Sequence, residues 1–229
     1  MILERKIANI KSVKTILAEQ FTKPVRKWER VDDEDERSRI EKGLYHMENF
    51  TESRWMYYHV DSGVDMAKDN FIISAEMRSV KSVGYYGFGI VFGFEKYATR
   101  INRYVYSEKP SRVVAAAFLR EDSHSFQRFS AKVSLQKKQV KEEFIRLVMF
   151  RLFDKVYFFL NNFNEPLMEV PADAFIWTGN RFGFYTEPGM HVQARSVTVQ
   201  RVEAEVLSKS NFSEIVSSMK TKKPKVKVK

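Results

Sequence analysis

From Phe71 to Val202 the chain is built of short segments in which apolar and polar residues alternate, separated by turn residues, and this leaves few folds open. Phe71, Ile73, Ala75 and Met77 fall on one side of an extended strand, and Ile72, Ser74, Glu76 and Arg78 on the other. A period of two is the signature of a strand with one buried face. The same pattern predicts strands over 55–60, 85–94, 101–106, 113–120, 126–133, 144–153, 156–161, 181–185 and 191–202. Leu44, His46 and Glu48 alternate with Tyr45, Met47 and Asn49 after a turn at Gly43. About ten strands with turn signals between them predict an all-β, two-sheet antiparallel sandwich. The strongly apolar runs on either side of Asp154-Lys155 predict a hairpin near the middle of a sheet.

The two ends read differently. Residues 2–21 place Ile7, Ile10, Leu17 and Phe21 at helical spacing up to a stop at Pro24, which predicts an amphipathic helix. Phe212, Ile215 and Met219 predict a short C-terminal helix, and Lys222, Lys223 and Lys225 belong to a Lys-rich tail beyond it. The expected organisation is an arm over 1–30, a sandwich over 31–203, and a helix with basic tail over 204–229. Residues 1–30 hold eight Lys/Arg against three acids and residues 203–229 seven against three, within a net charge of +10. Basic ends suit docking to an acidic protein partner, with Ile7, Ile10, Leu17, Phe21, Phe212, Ile215 and Met219 as the apolar contacts. Charge alone would also let the tail hold nucleic acid without reading sequence.

Several chemistries lack their residues. With no cysteine there is no disulfide framework and no thiolate metal site. His46, His59, His124 and His191 lie on four separate segments without metal-ligand spacing, so no metal and no cofactor is expected. The N-terminus is charged almost at once and no apolar run reaches membrane-spanning length, so the expectation is a soluble cytoplasmic protein. Gly87-Phe-Gly-Ile-Val-Phe-Gly93 misses dinucleotide-loop spacing by one residue and reads as a strand. Phe88, Ile90 and Phe92 would face the core, while Gly87, Gly89 and Val91 leave backbone open on the other face to a ligand or a neighbouring strand.

Taken together, Glu41-Lys-Gly-Leu-Tyr-His-Met-Glu, Asp69-Asn-Phe-Ile-Ile-Ser-Ala-Glu-Met-Arg, Gly87-Phe-Gly-Ile-Val-Phe-Gly, Val156-Tyr-Phe-Phe-Leu-Asn-Asn and Asn180-Arg-Phe-Gly-Phe-Tyr resemble the concanavalin A-like lectin/glucanase superfamily, nearest its bacterial laminin-G-like branch. The resemblance covers about residues 38–202. It implies a jelly-roll sandwich with one concave sheet, in a family whose members bind glycans or proteins, sometimes with calcium, and some of which hydrolyse glycosides. An acidic residue and Asn often precede the closing strand in relatives. Here Ala194-Arg195-Ser196 stands there, which puts a calcium role at that position in doubt. The glucanase relatives carry their carboxyls as Glu-x-Asp-x-x-Glu on one strand, and no such triplet occurs here. The sequence expectation is therefore a non-enzymatic interaction module or adaptor, with no catalytic residues. The alternative is a carbohydrate-binding domain whose ligand face holds Tyr85, Arg103, Tyr157, Phe159 and Asn161. A glycoside hydrolase with an unfamiliar acid/base pair comes third.

Overall fold

The alternation at 70–80 becomes the centre of the structure. In a computed structural model that describes residues 7–81, 87–96, 100–108, 111–119, 125–133 and 143–207, Phe71, Ile73, Ala75 and Met77 are all fully buried along one strand. The strands, in chain order, are β1 (Ile7–Glu19), β2 (Val31–Asp32), β3 (Glu36–Glu41), β4 (Leu44–Asn49), β5 (Met56–Asp61), β6 (Asn70–Lys81), β7 (Gly87–Phe94) and β8 (Arg100–Glu108). They continue with β9 (Ser111–Leu119), β10 (Ser125–Lys132), β11 (Ile145–Leu152), β12 (Lys155–Leu160), β13 (Met168–Pro171), β14 (Arg181–Thr186) and β15 (His191–Leu207).

Two antiparallel sheets pack face to face. One runs β13-β12-β11-β6-β15-β4-β3-β2 with β1 added alongside β15, and the other runs β10-β9-β8-β7-β14-β5. Their inner faces share one apolar core, in which Trp28 stacks on Phe184 with ring centroids 4.9 Å apart and Phe21 on Tyr45 at 5.6 Å. The Tyr104 hydroxyl crosses between the sheets to donate to the Phe159 carbonyl at 2.9 Å, so even this polar group is satisfied inside. The tight turn between β3 and β4 has Lys42 and Gly43 at φ +51° and +73°, the left-handed pair that matches the twist of a two-residue hairpin. The hairpin expected near Asp154 forms with Leu152 opposite Lys155.

The N-terminal helix is not there. Ile7–Glu19 is a strand, paired antiparallel with β15 from Ile7 opposite Leu207 to Glu19 opposite Val197. Two irregularities, between Ile10 and Ser12 and between Thr15 and Leu17, explain the misleading spacing. A bulge inserts one residue and turns an i, i+2 repeat on one face into i, i+3. Ile10 and Val13 share the outer face in this way, 43% and 47% exposed, and Leu17 then turns inward opposite Val199. The expected helix at 210–219 and the Lys tail lie outside the described residues. No helix among the described residues is long and apolar enough to cross a membrane.

Candidate functional site

The outward face of the six-stranded sheet combines three features. The first is a strip pinched at two glycines. Gly89 sits opposite Val105, and Gly183 opposite His59 and Val91. A Cβ at Gly89 would lie 2.1 Å from the Tyr104 carbonyl oxygen, and one at Gly183 2.0 Å from that of Tyr58. The strands close up at these points only because nothing branches from the backbone.

Aromatic rings border the strip. Trp55, Tyr57 and His59 follow one another along the β5 edge, with Trp55–Tyr57 and Tyr57–His59 centroids 5.6 and 5.5 Å apart. Trp55 also lies 5.6 Å from the Tyr185 ring. Beneath and beside them Val91, Phe94, Ile101, Val105 and Tyr185 form a small apolar cluster, separate from the main core.

A charged network is set into that cluster. Arg103 from β8 donates to the Tyr185 hydroxyl oxygen, and the Tyr185 O–H donates to Glu187 Oε1 at 2.6 Å. Arg103 Nη1 reaches the same carboxylate oxygen at 3.3 Å and lies over the Tyr185 ring, 5.2 Å from its centroid. Burial pushes the Tyr185 phenol well above its ordinary pKa, and Arg103 only partly offsets this, so the phenol keeps its proton. Such a network is costly to desolvate and supplies fixed donors and acceptors beside aromatic surface. At the β5 end, Arg181 pairs with His59 Nδ1 at 3.0 Å. The two open into a cleft of about 610 Å³ whose other walls include Arg26, Lys27, Trp28 and Arg30.

The ligand residues expected from sequence do not come together. Arg103 belongs to this face. Tyr157 and Phe159 lie on the outward face of the other sheet, in a cluster with Val148, Phe150 and Val202. Phe163 stacks on Phe159 there, with centroids 4.4 Å apart and an interplanar angle of 11°. Asn161 follows β12 at φ +65° and accepts the Arg146 amide at 3.0 Å, lining a shallow groove of about 300 Å³ with Ser74, Thr198 and Gln200. Tyr85 lies outside the described residues. Trp55, Tyr185 and Glu187 were missed because each looks ordinary in sequence; only register sets them beside Arg103.

Of the expected docking residues, Leu17 and Phe21 lie in the main core at 2% and 1% exposure, because β1 and the crossover after it complete the sandwich. Ile10 is exposed, and Ile7 pairs with Leu207. Phe212, Ile215, Met219, Lys222, Lys223 and Lys225 lie outside the described residues. The adaptor reading gains no support from these positions. His46 and His191, separate in sequence, meet at 3.2 Å across β4 and β15, but no group of three metal-ligating side chains forms among the described residues.

The sequence matches no protein-family model and no curated protein. Solved structures do match. A protein of unknown function with a galectin-like fold from Bacillus subtilis aligns with TM-score 0.59 at 10% identity, over 86% of this chain and 99% of that one. The catalytic domain of an endo-1,3-β-glucanase (laminarinase) from Thermotoga petrophila aligns with TM-score 0.59 at 10% identity, over 84% of this chain and 99% of that one. The CBM2 module of the evolved Dit of Lactobacillus casei BL23 phage J-1 aligns with TM-score 0.52 at 8% identity, over 85% and 98%. The fold is thus the concanavalin A-like jelly-roll sandwich; none of these structures bears on the laminin-G-like branch in particular. The expectation that the chain is not an enzyme is corrected here. Several of the similar structures, the laminarinase among them, are endo-glucanases, so the fold is one that houses glycoside hydrolases and gives no ground for excluding catalysis.

Proposed function

We propose that the chain is a carbohydrate-binding jelly-roll domain whose sugar-contact surface is the outward face of the six-stranded sheet. The observation that carries this is the Arg103–Tyr185–Glu187 network set among aromatic rings beside a strip pinched at glycines. Sugars present apolar ring faces edged with hydroxyls, and they need stacking surface and fixed hydrogen-bonding groups at once. Trp55 and Tyr57 offer the first, and Arg103 and Glu187 the second. Similar folds in a laminarinase and in a CBM2 module support the reading.

The test is a glycan array with the full chain, followed by calorimetry on the best oligosaccharide and an assay for released reducing ends. Binding is expected, and Trp55→Ala should weaken it by about tenfold or more, the usual worth of an aromatic platform. Tyr185→Phe should weaken it less, since it keeps the ring and removes only the hydroxyl that links Arg103 to Glu187. Absence of binding to every glycan, or binding unaffected by Trp55→Ala, overturns the proposal. The reducing-end assay shows whether bound sugar is also cleaved.

A further inference from the structure

If the outward face holds a saccharide, as proposed above, its charges also bear on the charge of the sugar. Register places Arg128 of β10, Ala116 of β9 and Arg103 of β8 in one row across three adjacent strands, and the row continues through Val91 and Gly183 to His59. Two guanidiniums therefore stand on alternate strands, about 10 Å apart at backbone level, with only the methyl of Ala116 between them. Four residues along β9 from Ala116, Arg112 pairs with Lys132 on the same outward face. Burial and the like charges of Arg112 and Arg103 hold the Arg128 guanidinium below its ordinary pKa, so the three arginines share one local field. The Arg112 Nε is buried without a hydrogen-bond partner, a state that native structures seldom leave unexplained.

The far end of the row is also cationic. His59 and Arg181 border the cleft of about 610 Å³ that Arg26, Lys27 and Arg30 also line, and Glu29 is the one carboxylate among its lining residues. Arg26, Lys27 and Arg30 form no ion pair among the described residues. Concentrating like charge on one face destabilises a compact chain through self-repulsion, and a neutral sugar would not relieve it. An anionic sugar would, because guanidinium groups take carboxylate or sulfate oxygens in paired, charge-assisted hydrogen bonds.

We propose that the saccharide is acidic, laid across the strands with anionic groups at the Arg103–Arg112–Arg128 cluster and at the cleft beside His59 and Arg181. The row spans five strand spacings, about 24 Å, enough for an extended oligosaccharide to reach both.

Calorimetry with the full chain and three probes tests this: an oligogalacturonate for carboxylate, a heparin-derived oligosaccharide for sulfate, and a neutral β-1,3-glucan oligosaccharide of similar length. At least one acidic probe is expected to bind about tenfold or more tighter than the neutral one, the scale of one charge-assisted pair. That preference should shrink as salt rises from about 0.05 to about 0.5 M. The exposed Arg128→Gln should remove most of it without changing neutral-sugar affinity, and Arg181→Gln should weaken acidic-probe binding from the other end. Whichever acidic probe binds better identifies the anionic group. Equal or tighter binding of the neutral glucan, indifferent to both variants, sinks the acidic-sugar proposal and leaves the saccharide reading standing. No binding by any of the three, together with a blank array, removes both. Tighter binding of single-stranded RNA than of either acidic sugar overturns the proposal in favour of a nucleic-acid ligand.

Discussion

The carboxylate of Glu19 accepts a hydrogen bond from the Trp28 indole at 3.3 Å, although the two residues stand at opposite ends of the crossover that follows β1. The same carboxylate accepts the amides of Phe21 at 3.0 Å and Val25 at 2.7 Å, and is itself 1% exposed. One buried anion thus gathers the crossover around itself, seats Phe21 and Trp28 in the core, and leaves Arg26, Lys27 and Arg30 on the wall of the basic cleft.

Removing that anion should be costly. Glu19→Ala leaves several buried donors without an acceptor and is expected to destabilise the fold by about 3 kcal/mol or more. Glu19→Gln keeps the shape but turns one acceptor into a donor that faces other donors, and should cost less. Urea unfolding measures both, and a Glu19→Ala change under about 0.5 kcal/mol would show that the crossover holds without its carboxylate.

A strand that closes the sheet behaves differently from an appended arm. Leu17→Ala should cost about 2–5 kcal/mol, the range for a truncated core leucine. Deleting residues 1–20 should abolish the cooperative thermal transition. A shortened chain that melts like the parent would show that β1 is dispensable.

Gly183→Ala tests the pinched strip on the candidate face. A methyl group 2.0 Å from the Tyr58 carbonyl oxygen must push β14 and β5 apart, and a backbone shift of that kind is expected to cost about 1–3 kcal/mol. Saccharide affinity should fall with it, because His59 and Tyr57 move with β5. A variant as stable as the parent, with unchanged affinity, speaks against the strip as part of the site.

The His46–His191 contact makes stability depend on pH. Burial is the largest cause lowering both pKa values from 6.5, and Arg39 adds to it at each ring. The folded state therefore resists protons that the unfolded chain accepts. The contribution is complete above about pH 6.5 and is lost as pH falls from there through the lowered folded values. Melting temperatures across that window should drop on acidification, and His191→Gln should flatten the drop. An identical slope in the variant would assign the pH dependence to other groups.

Much of this architecture could be seen before any coordinates. The inward set Phe71, Ile73, Ala75 and Met77, the division of β12 into Val156, Phe158 and Leu160 against Tyr157 and Phe159, and the turn at Gly43 all follow from local pattern. Local pattern misleads at β1, where two bulges gave a strand the spacing of a helix. It also joined Arg103 to Tyr157, Phe159 and Asn161, which lie on opposite outward faces of the sandwich.

By itself, then, the order of residues determined which side of most strands is apolar, because successive side chains in an extended backbone point to opposite faces whatever lies beside them. Pairing between distant segments decided the rest. It put Arg128 in line with Arg103, Arg103 within reach of Tyr185 and Glu187, and His46 against His191. Register comes from hydrogen bonds between strands and from the packing of two sheets on one core, and neither is encoded in the periodicity of any single strand.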